Sequence, residues 1–112
     1  MSSIDVIFQG STNEIFTELD ESELVAKGIT NFTLIGGVID TEFEDENGNL
    51  VVFPDALVTI IDRLNFKIAP TAALTNSLEN GLHTVRSRIV VGGATTVVEK
   101  RNAVEVKDGY KS

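Results

Sequence analysis

Apolar residues fall on alternate positions through much of the chain, and Gly, Asn, Asp and Pro interrupt them at short intervals. That is the period of strands, whose side chains point to opposite faces in turn. Ile4–Phe8 opens the series and stops at the turn cluster Gly10–Asn13. Glu14–Leu19 follows, with Ile15, Thr17 and Leu19 on one face. Ile29–Ile35 reads as a strand with Thr30, Phe32 and Leu34 on one face, punctuated by Gly36-Gly37. Val38–Glu44 leads into Asn47-Gly48, a pair suited to the two positive-φ positions of a type I′ turn. Residues 38–53 therefore read as a hairpin, ended by Pro54, which has no N–H to give a ladder. Ala56–Ile61 and Leu64–Ile68 pair around Asp62-Arg63. His83–Val91 puts His83, Val85, Ser87, Ile89 and Val91 on one face and Thr84, Arg86 and Arg88 on a solvated one. Gly92-Gly93 turns the chain into Thr95–Lys100, and Val104–Val106 is a last short strand.

Two stretches lose this period. Asp20–Gly28 carries a capping signal in Asp20-Glu21-Ser22-Glu23 but is short, and reads as a loop with at most one helical turn. Pro70–Leu78, with Ala73 and Leu74 spaced to Leu78, reads as a crossover containing a short helical turn near 71–78. The sum is an all-β chain, a β-sandwich of about seven or eight short antiparallel strands. It forms a single domain over residues 1–112, with the core in about 4–106 and a frayed tail at 107–112.

At 112 residues there is room for one domain, and a 42% hydrophobic content is that of a globular protein. The absence of cysteine excludes disulfides, thiolate metal sites and cysteine nucleophiles. The N-terminus lacks the pattern of a signal peptide, and no apolar stretch is long enough to span a bilayer, so the expectation is a soluble chain with no membrane partner.

Charge changes the picture most. The net charge of −8 argues against nucleic acid as a partner. Residues 1–62 hold 13 acidic side chains and a single Lys, whereas 63–112 hold 8 basic and 4 acidic ones. Either the two halves pair inside one sandwich, or opposed patches join copies head to tail. Asp40, Glu42 and Glu44 share one strand face, with Asp45 at the hairpin tip, and Arg86 and Arg88 share another. These six residues form a candidate interaction surface. The alternative for the arginines is pairing with the acidic strands of the same molecule. A calcium reading of 40–49 fails the EF-hand spacing, because Leu50 stands where the loop from Asp45 needs glycine.

Catalytic equipment is not apparent. His83, the only histidine, has no acid or nucleophile beside it in sequence, and no phosphate-binding glycine motif is present. The expectation is a non-enzymatic protein with no cofactor or metal. A carbohydrate- or receptor-binding module, calcium-assisted through the 40–49 hairpin, is the alternative. Exposed aromatic rings would favour it, but most phenylalanines fall at positions that read as buried.

Gly28-Ile29-Thr30-Asn31-Phe32-Thr33-Leu34 resembles the G-A-T-x-x-F-T-[IL] strand of the immunoglobulin-like domain at the N-terminus of phage baseplate upper proteins. The tip Glu46-Asn47-Gly48-Asn49, the run Phe66–Ile68, the turn Pro70–Leu78, the strand start Gly81-Leu82-His83-Thr84-Val85 and the turn Val91-Gly92-Gly93 follow in the family's order. The resemblance covers about Gly10 to Val106. The family usually has tyrosine where His83 stands, and usually continues into a long helical and fibrous region. The resemblance implies an immunoglobulin-like β-sandwich. It also implies a structural protein of the virion, a decoration, cement, neck or tail accessory component contacting other virion proteins and further copies of itself.

Overall fold

The computed structural model describes residues 5–109. Within them the chain forms β1 (Asp5–Phe8), β2 (Ile15–Glu18), α1 (Glu21–Ala26), β3 (Val38–Glu44), β4 (Leu50–Phe53), β5 (Val58–Ile60), β6 (Asn65–Ile68), α2 (Ala72–Asn76), β7 (Gly81–Val91) and β8 (Ala94–Lys107). A 3-10 turn, Asp55–Leu57, leads into β5. The strands make a five-stranded sheet, ordered β1-β8-β7-β3-β4, and a three-stranded sheet, ordered β2-β6-β5. The two pack together over Ile39, Phe43, Phe53, Phe66, Ile68 and Ile89, which are buried almost completely. Phe43 and Phe53, on neighbouring strands, stack tilted with ring centres 4.9 Å apart. Alternation accounts for the packing: β3 buries Ile39, Thr41 and Phe43 and turns Asp40, Glu42 and Glu44 outward.

Several sequence expectations change. The expected Ile29–Ile35 strand does not form. Asp20 caps α1 by accepting the Ser22 N–H, and the far end closes through Gly28 N–H to Val25 O and Ile29 N–H to Leu24 O. These are the two bonds of a Schellman motif, with Gly28 at φ +84°. In place of a loop with at most one helical turn, Asp20–Gly28 holds a six-residue helix capped at both ends. Its exit, with Asn31 at φ 56°, starts a loop rather than a strand. Leu34 still reaches the core, with 0% exposure, anchored by its N–H on Arg63 O at 2.9 Å.

The hairpin from β3 to β4 forms with Glu44 opposite Leu50, but its tip is not a type I′ turn. Only Gly48 has positive φ, and Asp45 N–H binds Asn49 O while Gly48 N–H binds Asp45 O. This is the three-residue loop with a glycine bulge. The two-residue turn lies instead at Gly92-Gly93, where both φ values are positive and Val91 pairs with Ala94. The two separate last strands of the sequence reading are one long strand, β8. It stays paired to β7 across a register shift between His83 and Val85, where Asn102 adopts φ 49°. Nor are the strands all antiparallel, since β1 runs parallel to β8 with Asp5 opposite Val104.

Lys107 belongs to β8 and its carbonyl accepts the Gln9 N–H, while Asp108 accepts the Asn80 amide. Both positions, expected to fray, are tied down. Ile4 and the last three positions of the expected tail lie outside the described residues.

Candidate protein-interaction surface

The outer face of the five-stranded sheet gathers five of the six residues that the sequence picked out. In the β3–β7 ladder Asp40 stands opposite Arg88, and Glu42 opposite Arg86. In the β7–β8 ladder Arg86 faces Glu99, and Arg88 faces Val97. Cross-strand neighbours on one face lie close enough to interact directly.

Arg86 is held by three carboxylates. It donates from Nε to Glu99 at 2.6 Å, from Nη1 to Glu42 at 3.2 Å and from Nη2 to Glu44 at 2.6 Å. The fork geometry of guanidinium allows these contacts at once. Glu44, then Glu99 and Glu42, hold the Arg86 pKa above its ordinary value through these bonds. Arg101 binds the other oxygen of Glu99 at 3.0 Å. Hydrogen bonds from Arg101 and Arg86 keep the Glu99 carboxyl below its usual range. The charges of the two halves thus meet inside one molecule, as they also do in Arg63–Glu21 and Lys67–Glu14.

Asp40 has a different occupation. Its carboxylate accepts the Asp55 N–H at 3.0 Å, while Asp55 accepts the Ile39 N–H at 2.7 Å. This reciprocal clasp fixes the 3-10 turn against β3. Arg88 is exposed and joins no ion pair among the described residues. It borders a shallow depression of about 340 Å³ lined by Asp40, Glu42, Val52, Arg86 and Val97. Val52 and Val97 are half exposed, at 50% and 51%. Among the described residues Arg88 thus presents an unpaired guanidinium flanked by half-exposed valines, beside the Arg86 charge network.

Asp45 is not on this face. It is 9% exposed, and its carboxylate accepts the Asn47 N–H, the Asn49 N–H and the Asn49 side-chain amide. The Asn49 side-chain bond leads in holding its pKa low, followed by the Asn49 and Asn47 backbone bonds, against the opposing effect of burial. All three bonds lie within the tip, so the carboxylate shapes the turn. Among the described residues no group of three His, Asp or Glu side chains is arranged to hold a metal ion.

His83 is 1% exposed, with Nδ1 3.1 Å from Gly81 O and its ring centre 6.5 Å from that of Phe43 at an interplanar angle of 60°. Two phenylalanines depart from the buried reading: Phe8 is 43% and Phe16 62% exposed. Among the described residues no helix is long and apolar enough to cross a membrane. Sequence reasoning missed Glu99, although counting back from the Gly92-Gly93 turn places it opposite Arg86. No protein-family model, curated protein or solved structure matches the chain.

Proposed function

We propose that this chain is a non-enzymatic docking domain of immunoglobulin-like fold that serves as a structural component of a bacteriophage particle, in many copies, through protein–protein contacts. The observation that carries the docking reading is Arg88, exposed between Val97 and Asp40 beside the closed Arg86 network. Its partner is a virion protein presenting a carboxylate ringed by apolar side chains.

The strand order supports the immunoglobulin-like part of the reading. In such folds one sheet carries strands B, E and D, and the other G, F and C, extended by C′ in the variable type. The order β2-β6-β5 against β8-β7-β3-β4 has the same arrangement. His83 stands two residues before Val85 on the strand that follows the α2 corner, the position of the tyrosine corner in those folds. Phe43, buried on β3, takes the place of their buried aromatic on strand C. The phage assignment rests on the sequence resemblance.

The test is recovery with purified phage particles. The wild-type chain is expected in stoichiometric amount, and Arg88→Glu is expected to be lost from particles while remaining folded. A chain that never co-purifies with capsid or tail refutes the virion reading. Retention of Arg88→Glu at wild-type level refutes the sheet face as the docking surface.

A further inference from the structure

The edge of the molecule opposite β4 and β5 is open. Among the described residues β2 pairs with β6 alone and β1 with β8 alone, so each ends its sheet. Leu19 N–H binds Leu64 O, which sets the ladder phase: Ile15, Thr17 and Leu19 turn their backbone groups toward β6, and Phe16 turns its own toward the open side. The two edge strands line one depression of about 210 Å³, with Val6, Phe8, Ile15 and Phe16 among its apolar residues and Asp5 and Glu14 among its polar ones. Phe16, 62% exposed, is the most exposed large hydrophobic residue of the described chain. Exposed hydrophobic edges are rare in soluble proteins because they template pairing with another chain.

We infer that β2 accepts an extended segment of a different protein as an added strand, one that reads basic-x-apolar-x-basic. The charge of the edge selects this pattern. Glu14 and Glu18 flank Phe16 on the same strand face, and both are exposed. Glu14 holds Lys67 at 2.9 Å and the Glu18 carbonyl accepts Lys100 Nζ at 2.8 Å, solvent-exposed contacts of small worth that the basic side chains of an added strand replace. A strand laid beside β2 puts an apolar side chain against Phe16 and a Lys or Arg against each glutamate. Alternate residues point toward the depression, where small apolar side chains fit.

A second copy of this chain does not meet the requirement. Pairing β2 with itself in antiparallel fashion about Phe16 sets Glu14 against Glu18, a like-charge contact. The other edge strands, β1 (Asp5–Phe8), β4 (Leu50–Phe53) and β5 (Val58–Ile60), carry no Lys or Arg. The inferred site is independent of the sheet face around Arg88, and either can fail without the other.

The experiment titrates the full chain, followed by amide NMR, with the peptide acetyl-Ser-Lys-Val-Val-Thr-Lys-Ser-amide up to about 5 mM, a range that detects millimolar affinity. The expected result is a saturating shift of amides in β1 and β2, about tenfold weaker binding when both Lys are Glu, and inversion of that preference in Glu14→Lys/Glu18→Lys. N-methylation of the central Val is expected to abolish binding while leaving charge unchanged. No shift at the highest concentration overturns the inference. So do shifts centred elsewhere, an undiminished response to the N-methylated peptide, or concentration-dependent shifts at β2 without peptide, which would make a second copy the occupant. All four side chains of the tested edge, Glu14, Phe16, Glu18 and Phe8, are exposed, so the variants keep the fold.

Discussion

Leu34→Ala tests the assignment of the 29–35 segment as a loop that plugs the core. Leu34 is 0% exposed, and its N–H donates to Arg63 O in the turn between β5 and β6. Removing a fully buried leucine side chain costs about 2–5 kcal/mol, the lost transfer energy plus the cavity left behind. With about 2.1 cal/mol/K of unfolding entropy per residue over 112 residues, the midpoint entropy is about 0.24 kcal/mol/K. Leu34→Ala should therefore lower Tm by about 8–20 °C in calorimetry. Ile35→Ala, next in sequence but 59% exposed, should shift it by only about 2 °C. Hydrogen exchange on the wild-type chain adds an independent reading. The Leu34 amide should be protected while those of Asn31, Phe32 and Thr33 exchange fast, whereas a paired strand would protect alternate amides. Equal Tm losses for the two variants, or strand-like protection, would refute the reasoning.

Thr41 and Ser87 stand opposite each other in the β3–β7 ladder and are buried, their hydroxyls 3.1 Å apart. Thr41→Val alone should cost about 1–3 kcal/mol by orphaning Ser87, and adding Ser87→Ala should recover most of it, measured by denaturant unfolding of the full double-mutant cycle. Asp45, Asp62 and Glu99 all have carboxyl pKa values held below their ordinary ones, Asp62 chiefly by the Leu64 backbone N–H and Asn65. A depressed carboxyl pKa gives stability that is complete above the unfolded value, 3.8 for Asp and 4.5 for Glu, and is lost as pH falls through the folded value. Tm should hold level from neutral pH down to about 5 and fall steeply below about 4, with a shallower fall in Asp45→Asn. Light scattering at low and high salt should give one mass for the isolated chain, because the opposed charges of the two halves meet within the molecule; a salt-sensitive oligomer would contradict this.

How much of this was legible in the sequence follows from the range of each interaction. The β3–β4 hairpin, β6 and β7 were readable because alternation and turn residues act between neighbours in sequence. Both caps of α1 were written in the chain, Asp20 with Glu23 at the start and Gly28-Ile29 at the end, but a six-residue helix offers too little apolar period to outweigh β-branched neighbours. Ile29–Ile35 misled for the converse reason. Its alternation is real and buries Leu34, but Gly28 and Asn31 at positive φ set the chain direction locally. The parallel pairing of β1 with β8 joins the two ends of the chain, and nothing local encodes it. The register that places Asp40 and Glu42 opposite Arg88 and Arg86 likewise belongs to the tertiary fold. The alternation of those residues on their own strands was enough to put them on one face.

Arg86 and Arg88 stand two residues apart on one face of β7 and do different work, although the sequence offers nothing to separate them. Arg86 is surrounded on three sides because β3 supplies two glutamates at one end of the face and β8 supplies a third across the strand. Its guanidinium is already ordered, so a partner gains little by binding it and would have to break an existing network to do so. Arg88 meets Asp40 on one side and Val97 on the other, but Asp40 is turned to the Asp55 backbone and valine accepts nothing. Arg88 therefore stays outside the ion pairs of the described residues, while one oxygen of Asp40 holds the 3-10 turn. Asp55→Ala would remove the Ile39 bond but keep the backbone N–H on Asp40, whereas Asp40→Ala would remove the other half of the clasp, so the two variants separate the bond that holds β3 from the bond that holds the turn.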